Sequence, residues 1–381
     1  MIPILVFCAA GCLLPATAQD SAARAAAQAP EPLAAAQDAG LPLREDLVYP
    51  GERHFGAVRR LTTTGENAEG YFSFAGDRLS YQAKVGGLGC DQIFELDLLS
   101  GSRRLVSTGM GRTTCAYFTA DDRGVIFAST HAADPGCLAP PDYSNGYVWK
   151  IYPEFDLYLR HLDTWELEAL APAPGYDAEA TVSPDGRRIV FTSRRDGDLE
   201  IYAMNADGSG VTQLTDTLGY DGGPFFSPDS ERIVYRAYHP KTEAESRRYQ
   251  DFLDRDLIEP VALQLMVMDA DGGNKLQITD NEAANFAPYF HPDGERIIYA
   301  SNQASADGRD FDLFLIRADG SENQRLTFNP SFDGFPMFSA DGKRLVFASN
   351  RANAAPRDTN LFLAEWIELA AAPADPAISG K

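Results

Sequence analysis

Short hydrophobic runs with a period of two recur along most of the chain, and this pattern predicts β-strands. The run Arg188-Ile-Val-Phe191 is typical. Turn sequences such as Pro184-Asp-Gly186 and Ala206-Asp-Gly208 separate the runs, because proline presets φ for a turn and glycine accepts a positive φ. The chain is therefore predicted to consist of short antiparallel strands joined by tight turns.

The strands belong to a repeated unit, of which one copy reads Phe226-Ser-Pro-Asp-Ser-Glu-Arg-Ile-Val-Tyr235. Related segments with the same spacing begin at Phe72, Phe118, Val182, Phe290 and Phe338. A second signature follows, as in Asp198–Thr215, so that each unit contains four strands, A to D. One such sheet cannot bury both of its faces, and the units must therefore stack around an axis.

The last unit ends at Leu361–Trp366 without a strand D, and the missing strand is found at the other end of the chain. The segment Val58–Thr62 has the form of Val211–Thr215 and precedes the first strand A. The pattern predicts an all-β fold, a six-bladed β-propeller of four-stranded antiparallel blades. Its last blade is closed by the N-terminal strand, which hides a sheet edge.

These repeats resemble the WD40-like (PD40) β-propeller repeat, and residues 175–350 are similar to the propeller of the TolB family. The resemblance covers about residues 52–366 and depends on Phe-Ser-Pro-Asp-Gly, Ile-Tyr-x-Met-Asn-Ala-Asp-Gly-Ser and Leu-Thr motifs. TolB proteins carry an α/β domain ahead of the propeller, whereas an Ala/Pro-rich segment precedes the repeats here. The resemblance implies an exported propeller that binds a protein partner or a cell-envelope ligand.

The ends of the chain differ from the repeats in composition. An apolar run, Ile2–Pro15, is followed by the cleavage-site sequence Ala16-Thr-Ala18. We expect a signal peptide at 1–18, a tether at 19–51, the propeller at 52–368 and a flexible tail at 369–381. Export to the periplasm is expected, with lipid anchoring through Cys12 as the alternative.

The chain has 55 Asp and Glu against 33 Lys and Arg, a formal net charge of −22. Such a surface repels phosphate groups, which argues against nucleic acid and anionic lipid as partners. Beyond the N-terminal run no apolar segment approaches the roughly 20 residues of a spanning helix. A closed ring has no free sheet edge, so a monomer is expected.

Two loops between strands B and C are much longer than the others, at about residues 130–154 and 238–262. Long loops on a rigid scaffold commonly carry recognition sites, and a short helix is expected within 243–257. We expect the binding face there, and the alternative is that the loops only cover the rim. The expected contact residues are Trp149, Arg194, Arg236, Tyr238 and His239.

A polar residue opens strand A in every unit, and the set comprises Asn67, Thr113, Asp177, Asp221, Asn285 and Asp333. These side chains are expected either to form a polar collar for a cation or a basic side chain, or to satisfy loop amides. Recurrence in every unit favours the second interpretation. Glu179 has no counterpart carboxylate in units four to six and is the better single candidate for function.

Three cysteines follow the expected signal peptide: Cys90, Cys115 and Cys137. An oxidising compartment favours one disulfide, with Cys115–Cys137 slightly ahead of Cys90–Cys115 and one thiol left over. Sequence alone does not choose the pairing. The cysteines lack C-x-x-C spacing, and we predict neither a metal nor a cofactor.

Motifs of the common catalytic sites, such as G-x-S-x-G, H-E-x-x-H and the Walker A loop, do not occur in the sequence. The main prediction is an exported, non-catalytic binding or scaffold protein. One alternative is a metal-dependent oligosaccharide lyase-like enzyme, in which His131 and His239 would converge near Glu179. A second is a propeller related to those of prolyl-oligopeptidase-type peptidases, without the hydrolase domain.

Overall fold

The computed structural model describes residues 43–143, 146–353, 355 and 358–369. The expected signal peptide, Cys12, residues 19–42 of the expected tether and the tail from residue 370 lie outside the described residues. Among these residues, 26 strands form six four-stranded antiparallel sheets and one two-stranded sheet. The sheets are the six blades of a β-propeller, as predicted.

The first three blades, each given from strand A at the centre to strand D at the rim, follow one another along the chain. Blade one contains β2 (Glu66–Phe72), β3 (Arg78–Lys84), β4 (Gln92–Asp97) and β5 (Arg103–Leu105). Blade two contains β6 (Thr113–Phe118), β7 (Gly124–Ser129), β9 (Asp156–His161) and β10 (Leu167–Leu170). Blade three contains β11 (Asp177–Val182), β12 (Arg188–Ser193), β13 (Glu200–Asn205) and β14 (Thr212–Gln213).

The last three blades repeat this order. Blade four contains β15 (Tyr220–Phe226), β16 (Arg232–Tyr238), β18 (Gln264–Asp269) and β19 (Leu276–Gln277). Blade five contains β20 (Asn285–Phe290), β21 (Arg296–Ser301), β22 (Asp312–Arg317) and β23 (Gln324–Arg325). Blade six contains β24 (Asp333–Phe338), β25 (Arg344–Ser349), β26 (Asn360–Trp366) and β1 (Phe55–Arg60).

The N-terminal strand closes the ring. Strand β1 pairs antiparallel with β26, with Val58 opposite Ala364 and Arg60 opposite Phe362. Blade six therefore takes its strand D from the start of the chain, which confirms the predicted closure. Residues just before β1 also contact the propeller, because Leu47 of a short 3-10 helix (Glu45–Leu47) is buried.

Each blade inserts an aromatic side chain from the fourth residue of strand B between neighbouring sheets. All six rings are at most 2% exposed, and they belong to Tyr81, Phe127, Phe191, Tyr235, Tyr299 and Phe347. Burial of such a side chain contributes about 1.5–3 kcal/mol. The period-two pattern of strand B therefore supplies one core contact in every blade.

An arginine at the first position of strand B joins four blades to the blade that follows; we call this contact the arginine clasp. Its guanidinium carbon lies 5.1–5.4 Å from the ring of the phenylalanine that ends the next strand A. It also donates to a main-chain carbonyl in the next A–B turn. The pairs are Arg78–Phe118, Arg188–Phe226, Arg232–Phe290 and Arg344–Phe72.

Every strand A contains a bulge at the same place, where two residues face one residue of strand B. The first bulged residue has a left-handed φ of 48–61° in each blade. A bulge turns its side chain away from the regular alternation, and here it is turned towards the propeller axis. We call these six residues the channel ring: Glu69, Cys115, Glu179, Gly223, Ala287 and Phe335.

Helix α1 (Glu243–Leu253) lies in the long loop of blade four and confirms the short helix predicted there. The Thr242 hydroxyl accepts a bond from the Glu245 amide, and the Glu245 carboxylate accepts one from the Thr242 amide. This reciprocal cap satisfies two amides that the first turn would leave unpaired. Among the described residues, no helix has the length and apolar character needed to cross a bilayer.

A buried ion pair holds the segment before β1 to blade six. The Arg351 side chain is fully buried and donates to Glu52 Oε1 and Asp333 Oδ2, both at 3.0 Å. It also donates to the Leu47 carbonyl at 2.9 Å. Within the described residues, Arg351 is the cation paired with both carboxylates.

Arg351→Ala should therefore lower the free energy of unfolding by about 3–5 kcal/mol, because it leaves two buried carboxylates without their cation. Denaturant unfolding of the full chain measures this change. Arg187→Ala, at a side chain that is 84% exposed, is the matched control and should change stability by less than about 0.5 kcal/mol. A loss below about 1 kcal/mol for Arg351→Ala would contradict the expected role.

Candidate functional site

The two long loops meet across blade three and form a single structure, which we call the cap. Strand β8 (Trp149–Lys150) of the blade-two loop pairs antiparallel with β17 (Leu257–Ile258) of the blade-four loop. The Ile151 amide extends this contact by donating to the Asp256 carbonyl at 2.8 Å. The cap therefore lies over the face of the propeller that carries the B–C and D–A loops.

Polar side chains attach the cap to blade three. Arg194 Nη1 of blade three donates to Asp256 Oδ1 at 2.8 Å, and within the cap Lys150 Nζ lies 3.1 Å from Asp256 Oδ2. The Tyr249 hydroxyl of α1 lies within hydrogen-bond distance of two acceptors, Asp198 Oδ1 at 2.5 Å and the Gly219 carbonyl oxygen at 2.6 Å. Arg194, a predicted contact residue, therefore braces the cap.

A disulfide between Cys90 and Cys137 joins the blade-one B–C loop to the cap, with Cα atoms 5.8 Å apart. The expected pairing of Cys115 with Cys137 or Cys90 is therefore wrong. The reason is the bulge in strand A, which places Cys115 in the channel ring and away from the loops that bring the other two together. No periodicity in the sequence reveals that placement.

The channel ring encloses a small cavity on the propeller axis, about 20 Å³ in volume. This volume accommodates about one water molecule. Glu69, Cys115 and Glu179 make one side of the ring polar, whereas Ala287 and Phe335 make the other side apolar. This cavity at the channel ring is consequently too small for an organic ligand.

Three of the residues predicted for function come together beside this cavity. Arg236 forms an ion pair with Glu179 and donates from Nε to the Tyr220 hydroxyl at 2.9 Å. Its guanidinium carbon lies 5.1 Å from the centre of the Trp149 ring, which belongs to the cap. Burial lowers the pKa of Arg236, but the charge of Glu179 and the contact with the Tyr220 hydroxyl act together with other nearby groups to raise it overall.

Glu179 is fully engaged within the protein. Its Oε2 accepts hydrogen bonds from the Thr192 hydroxyl at 2.7 Å and from the Gly223 amide at 2.8 Å. Together with the Arg236 pair, these contacts use both carboxylate oxygens. The interaction joins the third and fourth blades at the axis and connects them, through Trp149, to the cap.

Glu69 is a second carboxylate in the channel ring, and it is not among the residues predicted from the sequence for function. Its Oε2 atom is buried and has no hydrogen-bond partner among the described residues. Burial raises the pKa of Glu69 to about 7, and the charge of Glu179 adds to that effect. Aligning the repeats places Glu69 and Cys115 at the position of Glu179, three residues before the end of strand A, which marks Glu69 as a candidate but does not show that the bulge turns it to the axis.

The polar residues that open strand A are buried, and their partners lie within the protein. Asp177 pairs with Arg195, Asp221 with His239, and Asp333 with Arg351, each at 3.0 Å. The other three donate to main-chain carbonyls, namely Asn67 to Thr359, Thr113 to Asp91, and Asn285 to Leu263. These contacts attach strand A to the loops around it.

His131 and His239 occupy equivalent positions in blades two and four, and Arg195 holds that position in blade three between them. The His131 Nδ1 atom lies 2.9 Å from the Ser129 hydroxyl, and its ring packs on Tyr158 at 4.5 Å. The two imidazoles therefore lie on blades that are separated by blade three, whereas the enzyme alternative requires them to converge. In the described part of the chain, no group of three or more His, Cys, Asp or Glu is arranged to hold a metal ion.

Aromatic and apolar side chains on the cap face remain exposed. Tyr143 and Tyr147 are 52% and 68% exposed, and their rings stack with centroids 6.1 Å apart. Val261 in the cap and Met110 and Leu218 in D–A loops of the same face are also exposed. Tyr238, by contrast, packs against Tyr249 at 6.4 Å.

The sequence matches the model of the "TolB beta propeller domain" family (PD40) at residues 146–240 and 258–356. The uncharacterised protein Atu1656 of Agrobacterium fabrum is 31% identical over 151 residues. That alignment covers 38% of the chain and 46% of the relative, so the chain spans less than half of Atu1656.

Solved propellers of low sequence identity share the fold. TolB from Acinetobacter baumannii superposes with a TM-score of 0.51 and 16% identity, over 79% of this chain and 63% of that one. Oligogalacturonate lyase in complex with manganese superposes with a TM-score of 0.50 and 14% identity, over 84% of this chain and 96% of that one. At these identities, the likeness concerns the fold alone.

Glu69→Gln should remove a pH dependence of stability. The raised pKa means that the folded state holds the Glu69 proton more tightly, so stability falls as pH rises from 4.5 towards 7. At about pH 8 the variant should be more stable than wild type by on the order of 1–3 kcal/mol, and at about pH 4 the two should agree. Denaturant unfolding at both pH values measures the difference. The exposed Glu322→Gln should show no such trend, and a Glu69→Gln difference that does not grow with pH would contradict the prediction.

Peptide mapping without reduction should recover Cys90 linked to Cys137. Burial raises the pKa of the Cys115 thiol well above its usual value, so iodoacetamide should modify Cys115 only after unfolding. Cys115→Ser should leave the disulfide intact. Recovery of Cys115 in a disulfide, or its rapid alkylation in the native protein, would show that the channel ring is arranged differently.

Proposed function

Because the chain belongs to the family of TolB β-propeller domains, we propose that it is a non-catalytic protein that binds a protein partner through the cap face. The observation that carries the proposal is the exposed pair Tyr143 and Tyr147 on a cap that is fixed to the propeller. Tyrosine offers a large, rigid contact area that binds at a low entropic cost. Exposed aromatics of this kind are the usual anchors of protein interfaces.

The attachment of the cap supports a binding role, since a surface that is already ordered loses little entropy on association. The β8–β17 pairing, the Cys90–Cys137 disulfide and the Arg194–Asp256 contact all restrain it. Most of the contact residues predicted from the sequence serve this internal purpose. The partner would therefore meet the outer surface of the cap, with Tyr147 and Val261, rather than Arg236 beneath it.

The net charge of the chain and its expected location bear on the kind of partner. The formal net charge of −22 favours a neutral or basic partner, because complementary fields accelerate encounter and like charges oppose it. We also propose that the protein is exported to the periplasm, where disulfides persist. The Cys90–Cys137 bond supports that location.

Little in the site favours the alternative of a carbohydrate-active enzyme. A lyase-like site would need a substrate cleft with converging ligands or bases. The axial cavity holds about one water, Arg236 neutralises Glu179, and His131 and His239 lie on separate blades. Binding without turnover accounts for these features more simply.

Tyr143→Ala/Tyr147→Ala should weaken binding of the partner by about 30-fold or more, the effect of losing a hot-spot anchor of about 2 kcal/mol. The partner is first captured by crosslinking the full chain in native periplasmic extract. It is then purified, and its Kd is measured for wild type and for the variant. Both tyrosines are exposed, so the variant should keep the wild-type Tm.

Leu99→Ala is the matched control, because Leu99 is 95% exposed but lies in the C–D turn of blade one, outside the cap face. It should leave the Kd unchanged. The proposal fails if no purified protein binds the wild type, or if the double variant and the control bind equally well. Turnover of an oligosaccharide by the wild type would instead favour the enzyme.

A further inference from the structure

A second concave surface lies on the opposite face of the propeller, at the junction of blades two and three. This groove has a volume of about 520 Å³, within the range of small-ligand and side-chain pockets. Asp121 and Asp185 lie in its wall beside the apolar side chains of Leu159 and Val182. The cap and the exposed tyrosines take no part in it.

At most of the other blade junctions, an arginine side chain fills the position that corresponds to this groove. Arg188 of blade three stacks on Phe226 of blade four and donates to the Ser230 carbonyl at 2.9 Å. Arg232 of blade four likewise stacks on Phe290 and donates to the Gly294 carbonyl at 2.6 Å. The arginine clasp occurs at four junctions, and at the fifth-to-sixth junction His291 packs on Phe338 at 4.6 Å.

At the junction of blades two and three, both members of the clasp are replaced. Gly124 stands where the other strands B begin with arginine, and Val182 stands where the other strands A end with phenylalanine. The A–B turn of blade three keeps its shape, with Gly186 in the place that accepts the guanidinium in the other turns. The junction therefore keeps the acceptor side of the clasp and lacks its donor.

We propose that this groove is a socket for an arginine side chain supplied by a partner polypeptide. The stem of that arginine would lie against Leu159 and Val182, and its guanidinium would bond the Gly186 carbonyl and the Asp185 carboxylate. The partner's residue would thus complete the contact that the chain makes with its own arginines elsewhere. This site is additional to the cap face.

The charges around the socket fit a cation. The Asp185 carboxylate accepts a bond from the Ser183 hydroxyl at 2.6 Å, and Asp121 accepts one from Thr119 at 2.7 Å. These bonds hold both aspartate pKa values below their usual range, so the groups are ionised at neutral pH. The nearby Arg123 is paired with Asp163, from Nε at 2.6 Å, and His161 lies 3.2 Å from Glu168.

Arginine suits this socket better than lysine. Its flat guanidinium stacks on apolar surfaces and donates several bonds in one plane, whereas the ammonium group of lysine is more strongly hydrated. The chain itself uses arginine in all four clasps. A single arginine is a weak ligand alone, so in a complex this contact would add to others.

The test uses the full chain and the peptide acetyl-Gly-Ser-Arg-Ser-Gly-amide, titrated by ¹H–¹⁵N NMR. The expected result is saturable shifts at residues around Gly124 and Gly186. The same peptide with citrulline, which is neutral and of equal shape, should bind at least about tenfold more weakly, since the charge-assisted bonds are lost. Equal binding of the two peptides would overturn the proposal.

Two variants place the binding at the socket. Asp185→Asn keeps the acceptor oxygen of the turn but removes its charge, and it should weaken binding at least about threefold. Asp229→Asn is the matched control, because Asp229 occupies the same turn position in blade four, where Arg188 already fills the junction. Equal effects of the two variants would count against the site.

Gly124→Arg supplies the missing arginine from the chain itself. A side chain at this position would meet Leu159 Cδ1 at 2.7 Å, so the change is made together with Leu159→Ala. The double variant should fold and lose peptide binding. Leu159→Ala alone removes one apolar contact with the arginine stem, so it should bind the peptide more weakly than wild type but still saturably and in preference to the citrulline peptide. Retained binding in the double variant would overturn the proposal. Loss of peptide binding leaves the tyrosines of the cap unchanged, so this result is independent of the test of the cap face.

Discussion

Every blade of this protein has two apolar faces, and a single four-stranded sheet can cover neither of them by itself. The blades are stable only as a closed ring, in which each sheet covers its neighbours. Closure depends on β1, which pairs with β26, and on Arg351, which ties the segment before β1 to blade six. The closed ring sets the arrangement of the channel-ring residues around the axis. It also sets the position of the cap and the shape of the blade junctions.

The candidate binding surfaces and the polar part of the channel ring lie where the sequence departs from the repeat. The long loops of blades two and four meet because a single blade separates them, and they expose a tyrosine pair on a restrained surface. Gly124 and Val182 leave one junction without the arginine clasp that joins four others. The channel ring differs from blade to blade, and this variation places Glu69, Cys115 and the Glu179–Arg236 pair on the polar side. A symmetric scaffold thus carries an asymmetric set of surfaces.

Local patterns predicted the fold well. The Ser-Pro-Asp-Gly turns, the period-two strands and the unmatched Val58–Thr62 segment are short-range signals, and the observed blades and closing strand agree with them. The site was predicted only in part. Glu179, Arg236 and Trp149 do meet, but as an internal contact beneath the cap. The expected cysteine pairing was wrong, because it depends on where side chains point after the ring has closed. For the same reason, the sequence could not show whether His131 and His239 converge as the enzyme alternative requires.

Four features follow from the amino-acid sequence alone: the number of blades, their strand order, the closure of the ring and the location of the two long loops. Each of these follows from turn chemistry, alternation or counting, which act over a few neighbouring residues. The folded protein adds contacts that no local pattern predicts: a bulge turns Glu69 and Cys115 to the axis, Cys90 meets Cys137, and the two loops pair across blade three. Those contacts join residues that are distant in sequence, and their geometry exists only when neighbouring blades have packed around a common axis.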